Sequence, residues 1–318
     1  MSRWIGAVHD DIGKEPRTVM QPSLQAPSGT VGHAADRLCA AVSRVGAPIC
    51  VGLDPVLDRL PAELNASVED DVSAAAAIES FTLQILEAIE GHVGIVKFQS
   101  ACFERYGAAG MAALERSINS ATSRDLVTIL DAKRGDIGIS ASHYAVAGRR
   151  LGAEWITING WLGQDGITPF LQDGAGAFVL VRTSNPSSEQ LQRLRLEDGR
   201  TVAEGMADLV TSMASDYVGA CGYSTLGAVV GATHPEELAG FRARMPKSIL
   251  LLPGYGAQGG TADTMAPCFD AEGLGAIVTA SRSIIYAFHD QAGDWVGHVR
   301  SAAAQFAQAL GAVAGLRS

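Results

Sequence analysis

The chain has 318 residues, 47% hydrophobic and 18% charged, with a formal net charge of −10. That length supports a large core, and that charge argues against a sequence-independent nucleic-acid binder, which needs a basic surface. Five scattered cysteines (Cys39, Cys50, Cys102, Cys221, Cys268) without a C-x-x-C pair favour reduced, mostly buried thiols over a disulfide framework or a zinc site, and no apolar run of membrane-span length or signal-like opening region is read, so a cytoplasmic protein free of membrane contacts is expected.

Residues 1–32 mix Pro, Gly, Ser and charge without a period and read as a flexible extension. Residues 33–318 read as one domain. Helical spacing over 34–45 predicts a helix closing one end of the fold. Short apolar runs then predict strands over 48–54, 94–98, 126–131, 155–159, 177–183, 227–233, 248–254 and 275–281. Between and after them, helical spacing predicts helices over 72–89, 110–123, 140–151, 201–217, 236–243 and 295–310, with a short one near 168–172. The acidic run Glu69-Asp-Asp71 reads as a helix cap. The polar segment 185–200 reads as a loop insertion. Strands alternating with helices imply parallel pairing, and continuous apolar strands imply cover on both faces. Eight such units predict an α/β fold, a single-domain (β/α)8 TIM barrel, with an open doubly wound sheet as the alternative.

Polar residues cluster at the strand ends. The third strand runs into Asp131-Ala-Lys133-Arg-Gly-Asp136-Ile-Gly138, two carboxylates and an ammonium within six residues. Side chains at i and i+2 of a strand share a face, so Asp131 and Lys133 should point one way, with Asp136 in the turn beyond. Burying such charges is costly unless they compensate each other, which favours a working site over a solvated loop. Asp54, Lys97, Asn159, Thr183 with Ser184, Thr233, and Ser281 with Arg282 also fall at or just beyond strand ends, the active face of barrel enzymes.

After the seventh strand comes Pro253-Gly-Tyr-Gly-Ala-Gln-Gly-Gly260, and after the eighth Ala280-Ser-Arg282-Ser. Barrels bind phosphate with these two loops. Glycines including Gly259 and Gly260 let the backbone approach the oxygens, Gln258 can donate from its amide, and Arg282 can grip two oxygens at once. Gly254-x-Gly256-x-x-Gly259 also spells the dinucleotide fingerprint, but the following strand does not end in the required acid and only one strand remains. His143 reads as a helix-surface histidine, Trp155 and Phe178 as core, and Cys102 as buried filler.

The Asp131–Gly138 stretch resembles the signature of the orotidine 5'-phosphate decarboxylase family, specifically its bacterial type 2 subgroup. Val51-Gly-Leu-Asp54-Pro, Val96-Lys97-Phe-Gln-Ser-Ala-Cys-Phe-Glu, Arg182-Thr-Ser-Asn-Pro and the Pro253–Gly260 loop fit the same subgroup, and the similarity runs from about Ala34 to the C-terminal helix. The resemblance implies decarboxylation of orotidine monophosphate (OMP) to uridine monophosphate (UMP) without metal or organic cofactor, in a homodimer with shared sites. It implies Asp131 against the substrate carboxylate, Lys133 as carbanion stabiliser and proton donor, and Asp54 and Lys97 on the ribose hydroxyls. Asp136 and Ser140 would reach the partner's ribose, Gln258 and Arg282 the phosphate, and Ser184 or Thr183 the pyrimidine edge. Where the family often has Asn-Pro-Tyr-Leu-Gly, this chain departs from the pattern with Asn159-Gly160-Trp161-Leu-Gly. A magnesium-dependent sugar-phosphate lyase of the sister families and a non-catalytic nucleotide-binding barrel are the competing readings.

Overall fold

A computed structural model describes residues 32–232, 235–255 and 261–316. Helix α1 (Ala34–Val45) precedes strand β1 (Ile49–Leu53), and the capped helix α2 (Asp71–Ile89) leads to β2 (Ile95–Gln99). Helix α3 (Gly107–Ser123), β3 (Val127–Arg134), α4 (Gly138–Arg150) and β4 (Trp155–Ile158) follow. Three short helical segments lead into β5 (Gly176–Arg182), then α5 (Val202–Ala214), β6 (Ser224–Val230), α6 (Pro235–Arg244), β7 (Ser248–Pro253), β8 (Ala276–Ala280) and α7 (Trp295–Val313). Each strand pairs in parallel with the next, and β8 pairs with β1 through Ile49↔Val278, Cys50↔Thr279 and Val51↔Ala280. That last pairing closes the barrel and removes the open-sheet alternative.

Two apolar layers hold it. Inward-facing Ile95, Val127, Ile129, Trp155, Phe178, Ile249 and Ile277 form the barrel interior, and Leu38 and Val42 of α1 plug its lower end, as the helical spacing predicted. A second layer, including Val51, Ile78, Phe81, Leu130, Ile158 and Phe306, lies between strands and outer helices. Trp155 and Phe178 stack at 4.4 Å between ring centroids. They fit because two positions lack a side chain. A Cβ on Gly176 would overlap the Trp155 indole, and one on Gly227 would lie 2.6 Å from the Phe178 ring and 2.7 Å from the Ile249 carbonyl oxygen.

That close approach also explains a misplaced strand. The expected strand over 227–233 took Gly227 as its start, whereas β6 begins at Ser224 and the glycine sits mid-strand against Phe178. Thr233, expected at that strand's end, lies outside the described residues, as do residues 1–31 of the expected extension. Segment 185–200 is more ordered than a loop insertion. It holds a turn at Pro186–Ser188, a helix at Glu189–Gln192 and an antiparallel bridge from Arg195 to Thr201. The cause is Arg182, only 1% exposed, whose guanidinium donates to Glu237 at 2.9 Å and to Ser188 at 2.6 Å. A buried guanidinium must be satisfied, so the segment folds over it.

Helix α2 needs a correction of another kind. By length and composition it could cross a membrane, although no span was read there. In the fold it is an alanine-rich core helix, with Ile78, Phe81, Ile85 and Ile89 buried. Its start matches the expected cap. The Asp70 carboxylate accepts from the Ser73 amide at 2.8 Å, completing a capping box. All five cysteines are free. Cys39, Cys50 and Cys268 are buried, while Cys102 is half-buried rather than buried as expected.

Candidate active site

At the carboxyl-terminal rim, β1, β2 and β3 deliver four charges into one chain. Asp54 follows β1, Lys97 lies on β2, and Asp131 and Lys133 lie on β3 with Asp131 in register beside Gln99. Lys97 Nζ sits 3.4 Å from Asp54 Oδ1 and 2.9 Å from Asp131 Oδ2, and Lys133 Nζ donates to Asp131 Oδ1 at 2.6 Å. The order acid–base–acid–base neutralises the group internally, which lets Lys97 and Asp131 sit with side chains 7% and 9% exposed. Lys133, 47% exposed, is the end that faces solvent and thus a ligand.

Burial alone would push the Asp131 carboxyl up. The charges of Lys97 and Lys133, with their hydrogen bonds, outweigh it and hold the group well below the ordinary carboxylate range. Burial likewise pulls the Lys97 ammonium down, and the Asp54 and Asp131 carboxylates more than reverse that. Both groups are therefore charged at neutral pH.

The backbone under this cluster is irregular. Lys133 has φ of +46°, the left-handed region that favours glycine. Such a conformation costs on the order of 1–3 kcal/mol and persists only where its surroundings impose it. Between Leu130↔Ile156 and Arg134↔Ile158, β3 advances four residues while β4 advances two, so the register slips around Lys133. Asp131 and Lys133 do share a face, as period two predicts, but over a bulge.

Two residues absent from the expected set complete the cluster. Gln99 donates to Asp131 Oδ2 at 3.3 Å, and the Thr157 hydroxyl donates to Asp131 Oδ1 at 2.8 Å while accepting from the Lys133 amide at 3.0 Å. The signal for both was in the sequence. Gln99 is two residues after Lys97, and Thr157 two before Asn159, so the alternation that pairs Asp131 with Lys133 puts them on the same inner face.

The remaining expected residues are distributed as follows. Asp136 is half-buried, and its carboxylate accepts the Ile137 amide at 2.8 Å without joining the four-charge chain. Ser140 is exposed on the first turn of α4. Asn159 spends its side-chain oxygen on the Trp161 amide at 3.0 Å, capping the turn after β4. Gly160 is required there, since a Cβ would lie 2.6 Å from Val179 and 2.8 Å from Met206 Sδ. Thr183 is tied to the 185–200 segment: its amide donates to Gln192 Oε1 and its hydroxyl accepts from Gln192 Nε2, both at 2.9 Å. Ser184, half-buried, makes no such local bond, so it is the better-placed hydroxyl of the two.

Ser281 packs over β1, where only glycine at position 52 leaves room for its Oγ. Arg282 follows it, exposed, and its guanidinium makes no hydrogen bond or ion pair with any described residue. Tyr286 locks this loop to the charged chain. Its hydroxyl donates to the Asp54 carbonyl oxygen at 3.2 Å and accepts from the Val56 amide at 2.7 Å. The β8 loop and the charged chain therefore share one rim. Gln258, Gly259 and Gly260 lie outside the described residues. His143 is on the exposed side of α4, and Trp155 and Phe178 are core, as expected.

The chain resembles known proteins of one family. Residues 47–293 match the orotidine 5'-phosphate decarboxylase / HUMPS family. A protein named orotidine 5'-phosphate decarboxylase from Rhodopirellula baltica is 42% identical over 297 residues, covering 87% of this chain and 98% of its own. One of the same name from Deinococcus radiodurans is 41% identical over 247 residues, covering 75% and 84%. Among solved structures, the OMP decarboxylase of Leishmania donovani superposes with a TM-score of 0.73 at 30% identity, covering 89% of this chain and 99% of that one.

Proposed function

The chain belongs to the orotidine 5'-phosphate decarboxylase family, and from that premise we propose how its rim converts OMP to UMP in pyrimidine biosynthesis. The carrying observation is the Asp54–Lys97–Asp131–Lys133 chain on the rim that also bears the Arg282 loop. Arg282, with Gln258 and the backbone of Gly259 and Gly260, takes the phosphate. Asp54 and Lys97 hold the ribose hydroxyls, Ser184 meets the pyrimidine edge, and Thr183 and Asn159 shape the loops around it. The substrate carboxylate then lies beside Asp131 and Lys133.

When the bond from C6 to the carboxylate breaks, CO2 leaves and the electron pair stays on C6. The Lys133 ammonium stabilises that anion because it is already in place, so no reorganisation is needed as charge develops. It then gives its proton to C6, forming UMP, and is reprotonated from solvent. Asp131, fixed by four donors, keeps the ammonium charged and crowds the departing carboxylate. Phosphate binding at a distance from C6 supplies the energy that holds the two carboxylates together. The metal-dependent lyase reading needs carboxylates available to a cation. Here both acids of the chain are engaged by lysines, which supports the decarboxylase. The direct test is loss of OMP absorbance in chelator-treated buffer. Undiminished turnover is expected, and none with an intact fold would defeat the reading.

An apolar patch supports a homodimer of the type 2 kind. Ile137 (56% exposed), Ile139 (72%) and Trp161 (61%) stand on the same rim, with Tyr144 and Leu162 beside them and with Asp136 and Ser140 interleaved. Large apolar side chains gathered this way mark an interaction surface. A second copy seated there would receive Asp136 and Ser140 at its ribose. Ile139→Asp is expected to sediment as a monomer and to lose turnover. A monomer with full turnover would show that no residue is shared across subunits.

A further inference from the structure

The backbone of Lys133, in its left-handed turn, is held by a side chain of the neighbouring strand. Thr157 sits on β4 opposite the step where β3 slips register, and it is 1% exposed. Its hydroxyl has one proton and gives it to Asp131 Oδ1 at 2.8 Å, since a carboxylate can only accept. Its lone pair takes the Lys133 amide at 3.0 Å, since an amide can only donate. Asp131 Oδ1 in turn accepts the Lys133 ammonium at 2.6 Å. The three bonds form a closed ring. One hydroxyl thus fixes both ends of the same lysine, its backbone directly and its Nζ through the shared carboxylate oxygen.

The choice of residue follows from the geometry. β-Branching leaves threonine few χ1 positions, so its Oγ1 direction is restricted. Serine could make both bonds but with freer rotation. Valine has the same shape and could make neither.

We propose that Thr157 is a positioning residue for decarboxylation, holding Lys133 in its left-handed turn and aiming its ammonium at C6 through Asp131. Thr157 touches no substrate and acts only through Lys133 and Asp131. This rests on the decarboxylase reading, and the two are separable: that reading fails if the wild-type chain does not turn over OMP, this one only if altered chains turn it over equally well.

The test compares Thr157→Val and Thr157→Ser with the wild type. Misplacing a reacting group by about 1 Å costs on the order of 10²-fold in rate. Thr157→Val is therefore expected to lose kcat by about 10²-fold while KM for OMP moves by less than about threefold, because phosphate and ribose contacts are untouched. Thr157→Ser should recover most of the lost kcat. A purely structural threonine would lower the thermal midpoint of both variants without changing kcat per folded molecule, and that result would overturn the proposal. So would equal loss in the serine and valine chains. If the valine chain does not fold, amide hydrogen exchange in the wild-type and serine chains gives the answer. Slow exchange at Lys133 in both supports the ring, and exchange at the rate of an open loop in the wild type overturns it.

Discussion

Lys133→Ala is expected to abolish turnover while leaving the barrel folded. The lysine is the one member of the charged chain that is nearly half-exposed, so its removal uncovers little core. Asp131 keeps Lys97 at 2.9 Å together with the Thr157 and Gln99 donors, so no buried charge is stranded. Stability should fall only modestly, because the buried Asp131 carboxylate keeps its Lys97 counter-charge. The chemical step loses two contributions at once. A preorganised charge contributes roughly 10²–10³-fold and a positioned proton donor roughly 10²–10⁴-fold, so a combined loss of at least about 10⁴-fold in kcat is expected. Kinetics of OMP loss beside a thermal melt would check both halves. A variant retaining a tenth of wild-type activity would remove Lys133 from the chemistry.

Asp131→Ala should damage fold and function together. Its carboxylate is the common acceptor for Lys97, Lys133, Thr157 and Gln99. Without it, Lys97 keeps only Asp54, at 3.4 Å, and a buried ammonium is left half-compensated. Breaking one side of a buried pair costs about 3 kcal/mol or more. The loss should depend on pH in a definite sense. Because the folded carboxyl is held below its unfolded value of about 3.9, its contribution is complete above that pH and fades as pH falls below it. Denaturant unfolding should show the gap between wild type and Asp131→Ala wide at pH 7 and narrowing at pH 3. A gap that widens with acid would contradict the assigned ion pairs.

The barrel and the charged rim were legible because both rest on strong, short-range patterns. Apolar runs gave the strands, and acids, lysines and hydroxyls at their ends gave the rim. What escaped depends on contacts between distant segments. Gly227 looked like a strand boundary until Phe178 was placed against it. Segment 185–200 looked like an insertion because nothing local announces that Arg182 is buried and needs Ser188. Gln99 and Thr157 were available from period two, yet each reads alone as an ordinary strand residue. The left-handed turn at Lys133 has no sequence signal, since lysine is not a residue that favours positive φ. Asp136 lies one turn beyond the chain it was grouped with, which fits a residue directed at a second copy.

The most direct measurement is a crystal structure of the full chain with UMP bound. With the phosphate on the Arg282 loop, C6 of the base should lie within about 3–3.5 Å of Lys133 Nζ, the distance at which a proton can be delivered. A phosphate held elsewhere, or a base whose C6 faces away from Lys133, would contradict a single cavity joining the β8 loop to the charged end of β3.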